Sequence, residues 1–208
     1  YKPSRIYSAR FAGQTLLLGL PDGAMHIPGT NISTGPGTLK NGGYADGQIS
    51  PNSAWFALRK ASQGYVVIHN VNPWYFLKNV ACDAQVLAVS FTPQNDELAI
   101  ATYSSVTFLV TATWEEPRRF PVALDRNAKL LFATDGSFWL VHNARLAALH
   151  DARTFETRLA LPPGALPLAI SPDGRDLAIT PDTRRVQLWH LAQIRANLGE
   201  LGLDWESR

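Results

Sequence analysis

The residues able to do chemistry are few and widely spaced. Five histidines, His26, His69, His142, His150 and His190, are the candidate metal ligands and general bases. None stands in a His-x-His or His-Glu-x-x-His spacing, so the pattern of a zinc site is not met. His69, His150 and His190 recur at one position of a repeat described below. That places them in different structural units and argues against a shared metal centre. Two carboxylate pairs, Asp96-Glu97 and Glu115-Glu116, are the candidates for glycosidase-type chemistry, which needs two carboxyl groups facing each other across several ångströms. Both pairs lie in turn-like sequence, where adjacent side chains point into solvent. Gly-x-Ser-x-Gly and Gly-x-x-x-x-Gly-Lys are absent, so neither a nucleophile elbow nor a phosphate loop is encoded. Gly35, Gly37, Gly42 and Gly43 precede no helical pattern and read as a loop, not a nucleotide cradle. The one cysteine, Cys82, excludes an intrachain disulfide and any multi-cysteine metal site. It reads as a small buried hydrophobe. No metal or other cofactor is expected, and no enzymatic activity.

Groups suited to binding are more numerous. Arg118-Arg119 and Arg184-Arg185 are expected to be exposed charges that guard strand edges. Nineteen Lys and Arg against seventeen Asp and Glu give a net charge of +2, too small to argue for a nucleic-acid partner. Trp55, Trp139 and Trp189 lie in apolar strands and read as core residues. Trp74-Tyr75-Phe76 follows Asn72-Pro73 and opens a strand. Strand side chains alternate between faces, so three adjacent aromatics cannot all face inward. Trp74 and Tyr75 are therefore candidate partner contacts, since interfaces favour aromatic residues.

The elements that must hold these residues follow from a repeat. Ser50-Pro51-Asn52-Ser53, Thr92-Pro93-Gln94-Asn95 and Ser171-Pro172-Asp173-Gly174 each precede a short apolar strand, and Thr134-Asp135-Gly136 is a degenerate copy. A weaker one runs Ala12-Gly13-Gln14. With Ala12, Pro51, Pro93, Thr134 and Pro172 taken as equivalent, the steps are 39, 42, 41 and 38 residues. A period of about 40–45 residues is that of a propeller blade. Proline presets the second position of a type I turn, Asp or Asn suits the third, and glycine takes the position a side chain would strain. Each period has room for four short strands. A helical reading fails before residue 190, because prolines are frequent and apolar residues do not recur at helical spacing. From Leu191 the residues Leu191, Ile194, Leu198 and Leu201 form one helical stripe, with Gly202 as the stop.

The chain resembles a WD-repeat β-propeller. The resemblance is carried by Ser171-Pro172-Asp173-Gly174 before Leu177-Ala178-Ile179, and by Val186-Gln187-Leu188-Trp189-His190, which is similar to the family's third strand. Ala148-Leu149-His150-Asp151 is a second copy, with His150 in the tryptophan place. Val67-Ile68-His69-Asn70 and Phe108-Leu109-Val110-Thr111 diverge further. The family's Gly-His pair is absent. The close of the chain, Leu201-Gly202-Leu203-Asp204-Trp205, is similar to that of large bacterial WD-repeat proteins, whose propeller is often joined to a kinase or other signalling domain. The expectation is an all-β propeller of about five four-stranded blades at 5–40, 45–81, 86–124, 128–162 and 166–190. The last blade is one strand short, and a C-terminal helix and tail follow at 191–208. The blades are expected to be part of a larger ring, with a complete five-blade ring as the alternative. A start at Tyr1 rather than methionine adds the expectation of a longer parent chain.

The resemblance implies a non-enzymatic scaffold or sensor that binds a protein or peptide through the loops at one end of the blades. By position those loops include Arg59, Tyr103, His142, Asn143 and Arg184. A small-ligand or glycan binder is the alternative, and a propeller hydrolase or lyase a third reading. Hydrophobic residues make up 46% of the chain, yet no apolar run approaches the roughly 18 residues of a membrane span. No membrane insertion by this segment is expected. The compartment stays open, with the cytoplasm favoured.

Overall fold

The computed structural model describes residues 8–12, 15–20, 23–27, 37–38, 44–60, 63–71, 73, 75–143, 146–182 and 184–201, with backbone alone for those up to 46 and for Lys60. Among the described residues the chain forms nineteen strands and one helix. It divides into two units, Tyr1–Ala123 and Leu124–Arg208. The first unit holds three antiparallel meanders. The first meander is β1 (Ser8–Ala12), β2 (Thr15–Leu20), β3 (Gly23–Ile27) and β4 (Gly37–Thr38). The second is β5 (Tyr44–Ile49), β6 (Trp55–Lys60), β7 (Tyr65–Asn70) and β8 (Tyr75–Ala81). The third is β9 (Val86–Phe91), β10 (Glu97–Thr102), β11 (Ser105–Val110) and β12 (Arg118–Pro121). The second unit holds β13 (Lys129–Phe132), β14 (Phe138–His142), β15 (Ala147–Asp151) and β16 (Thr157–Ala160). It continues with β17 (Leu166–Ile170), β18 (Asp176–Asp182), β19 (Arg185–His190) and α1 (Leu191–Glu200). Within every sheet the strands pair in chain order, so each sheet is four-stranded except the last, which has three.

The sheets stack on their first strands. In the first unit β5 lies against β1, and β9 against β5; in the second, β17 lies against β13. This explains the near-continuous apolar runs of the middle strands, which are covered on both faces. Ala57 and Ile68 of the β5–β8 sheet pack on Val89, Phe91, Leu98 and Ile100 of the next sheet. The opposite face of the same two strands buries Phe56, Leu58 and Val67. Burying each such Leu, Ile or Phe contributes about 1.5–3 kcal/mol. In the second unit Leu140, Leu149, Leu177, Ile179 and Leu191 form the corresponding core. The strands that end the described complete sheets differ in how far exposed and half-buried residues alternate. β12 alternates, whereas β8 and β16 do not.

The turn joining the first two strands is built alike in four sheets. The carbonyls of Ser50, Thr92, Ala133 and Ser171 accept from the N–H groups of Ser53, Asn95, Gly136 and Gly174, at 2.8–3.1 Å. Those four donor residues all have positive φ, between 58° and 71°. Only the last two are the glycine that this conformation favours. Side-chain oxygens of Asn52, Asp135 and Asp173 take the N–H two residues on, at 3.0–3.1 Å. The hydroxyls of Ser50, Thr92 and Ser171 accept the N–H five residues on, at 2.9–3.0 Å. Sequence repeat and turn geometry therefore coincide.

Three expectations need correction. Glu97 is not in a solvated turn: it opens β10, is buried, and pairs with Arg118, whose guanidinium also lies 4.6 Å over the Phe108 ring. Arg118 is thus a tie between strands rather than an edge charge, while Arg119 is exposed and bonded to Glu116 and Asp83. The physical reason is that β12 pairs with β11 and brings Arg118 across to β10. In α1, Leu191 is buried and Ile194 and Leu198 are half-buried, but Leu201 is exposed, so the stripe ends a turn early. Gly202, Leu203 and Trp205 lie outside the described residues.

Candidate functional site

The residues expected on the loop end fall into three groups. Tyr103 in the β10–β11 turn and Arg184 in the β18–β19 turn are exposed. The Arg184 N–H bonds to Asp182 Oδ1 at 2.9 Å, which shapes the turn and leaves the side chain outside. Arg59 is half-buried at the end of β6, and its guanidinium donates to the Val86 carbonyl at 3.2 Å, joining one sheet to the next. His142 and Asn143 are buried and cannot present themselves to a partner. Asn143 instead closes its loop: its Oδ1 accepts the Leu146 N–H and its N–H donates to the Leu146 carbonyl, both at 2.8 Å. Tyr75 is exposed at the start of β8, beside an equally exposed Phe76. Trp74 lies outside the described residues.

Three of the described histidines, His69, His142 and His150, are buried. His69 is fully buried on β7 with the Phe76 ring edge-on at 5.9 Å. Burial pulls its pKa down to about 4, against a smaller opposing effect of a backbone hydrogen bond at Tyr75. His150 is buried under Trp139, ring centroids 5.0 Å apart, and burial lowers its pKa as well. His190 is exposed and its Nδ1 lies 2.6 Å from Asp176 Oδ1. Among the described residues no three His, Cys, Asp or Glu side chains converge as a metal site would require. Burial also lifts the Cys82 thiol to about 11, which keeps it protonated at neutral pH.

No family model matches the chain, and no curated protein is significantly similar to it. No helix of the described residues is long and apolar enough to cross a membrane.

Sequence reasoning missed a cleft of about 480 Å³ at the other end of the strands in the second unit. Its floor is Phe138, Leu149 and Leu191. One wall is the Asp151–Arg158 ion pair, in which Asp151 also accepts the N–H groups of Arg153 and Thr154 at 2.8 Å. Burial opposes ionisation of Asp151, but these donors outweigh it and hold the carboxyl well below the usual range. The rim is Asp135, Asp173 and Arg175 from two neighbouring turns, with Arg195 from α1. A sequence signal existed. Asp135 and Asp173 hold the same position of the repeat, and adjacent sheets bring equivalent turns together. A Cβ placed on Gly174 would lie 3.7 Å from Asp135 Oδ1.

Proposed function

We propose that this chain is a WD-repeat-like β-propeller segment acting as a non-enzymatic interaction scaffold, which binds a protein or peptide through its strand-end loops, the Tyr103 turn in the first unit and the Arg184 turn in the second. The observation that carries the reading is the stacking of repeated four-stranded meanders on their first strands. Such stacking holds short loops on a rigid base, and loops so held are the usual place of recognition. Exposed Tyr103 and Arg184 are residue types that interfaces favour. The ring is proposed to continue through a further sheet, because among the described residues β19 is the edge of a three-stranded sheet. The outward side chains Val186 and Leu188 are 70% and 57% exposed, and an apolar face of this kind calls for cover.

The test is binding of a purified partner, once one is captured, to the wild-type chain and to an Arg59→Ala/Tyr103→Ala/Arg184→Ala variant. A loss of at least tenfold in affinity is expected. Unchanged affinity in the folded variant rejects these loops as the binding face.

A further inference from the structure

The cleft of the second unit lies at the strand ends opposite that unit's own β18–β19 turn, and we propose that it binds the C-terminus of a peptide whose last residue is apolar. The proposal is independent of the loop-face reading. An apolar floor of Phe138, Leu149 and Leu191 suits one hydrophobic side chain. The Arg175 side chain is 77% exposed, and its nearest carboxylate oxygen, Asp173 Oδ2, is 3.9 Å away, beyond hydrogen-bond range. Asp173 is held by other donors: its Oδ1 accepts the Ser171 hydroxyl at 2.6 Å and the Arg175 N–H at 3.1 Å. The Arg175 fork therefore presents its donors to a ligand, with Arg195 contributing a second positive charge from α1. A planar guanidinium pairs with a carboxylate through two parallel hydrogen bonds. Asp135 uses Oδ1 for the Ser137 N–H and hydroxyl, at 3.0 and 2.7 Å. Its Oδ2 is available as an acceptor for a peptide N–H.

Charge balance selects this class over others. The lining carries three aspartates and three arginines. A multiply charged anion such as phosphate would meet the aspartates, and a cation the arginines. A single carboxylate followed by an amide N–H satisfies both signs, and the apolar floor sets the last side chain.

The probe is a fluorescein-labelled Gly/Ser hexapeptide ending in Leu with a free carboxylate, titrated with the 208-residue chain by fluorescence polarisation. Its C-terminal amide and a version ending in Ser are titrated alongside. Saturable binding of the free-acid Leu peptide is expected, with the amide at least tenfold and the Ser peptide at least fivefold weaker. Arg175→Ala should lose at least tenfold, Arg175→Lys less, and Arg184→Ala nothing. Absence of saturable binding, equal binding of acid and amide, or an unchanged Arg175→Ala overturns the proposal. Because Arg184→Ala belongs to the loop face and Arg175→Ala to the cleft, failure of one site leaves the other measurable.

Discussion

At the residue scale, buried histidines make stability depend on pH. His69 has a folded-state pKa of about 4 against an ordinary value of 6.5. The unfolded chain takes up the proton first, so the contribution of neutral His69 is complete above pH 6.5 and is lost as pH falls toward 4. That shift corresponds to on the order of 3 kcal/mol. Burial moves His142 and His150 the same way. Melting temperature measured at pH 7.5 and at 4.5 should therefore fall for the wild type, and fall less for His69→Gln. Equal drops would exclude His69 as a contributor. Gly47 gives a second prediction at this scale. A Cβ there would lie 2.5 Å from Cζ of the buried Phe56 ring. Gly47→Ala should destabilise the first unit by about 1–3 kcal/mol through overpacking, read as a lower urea midpoint with an unchanged slope. Neither effect was legible in the chain as letters. The register of β5 on β6, with Gly47 opposite Leu58 and Ile49 opposite Phe56, says which side chain fills the gap.

At the element scale, the four turns test whether one geometry underlies the repeat. Gly174 has a φ of 70° and Ser53 a φ of 58°. A non-glycine residue in this region is strained by about 1–2 kcal/mol. Gly174→Ala should lower stability by that amount, while Ser53→Gly should raise it by less than about 1 kcal/mol, since glycine also loses more freedom on folding. Opposite signs in chemical denaturation are the expected result, and the same sign for both would disprove the equivalence. Trp114 and Phe155 occupy a matching positive-φ position in the turns between third and fourth strands. There the Val110 and Asp151 carbonyls accept the N–H groups of Trp114 and Phe155. No glycine or asparagine marks those turns, so this second turn family was invisible in the sequence. The Trp114 ring packs edge-on against Trp55 at 5.7 Å, which offsets strain at this position.

At the scale of the whole molecule, the last sheet has three strands among the described residues. Val186 and Leu188 on β19, with Leu166 and Leu168 on β17, form an exposed apolar set. Exposed apolar sheet faces with an open edge favour association. The isolated chain should therefore show concentration-dependent sedimentation, and a Val186→Lys/Leu188→Lys variant should sediment closer to a monomer with an unaltered melting temperature. A monomeric wild type at all concentrations would remove this support for a further covering sheet.

The sequence alone determined the repeat, its strand order and the position of the helix. Turn chemistry and apolar periodicity are local properties, written within a few residues of where they act. Ser-Pro-Asp-Gly and its variants therefore mark their turns in the sequence itself. Only the tertiary structure decided which charged residues are buried, because Glu97 and Arg118 meet across three strands from positions 21 residues apart. It also decided that His142 is buried and that Asn143 closes its loop. The cleft is the extreme case. Its aspartates and arginines come from β15, β16, two turns and a helix, and no spacing along one chain segment records that they converge. Convergence is set by how sheets stack, and the stacking is a property of the folded chain.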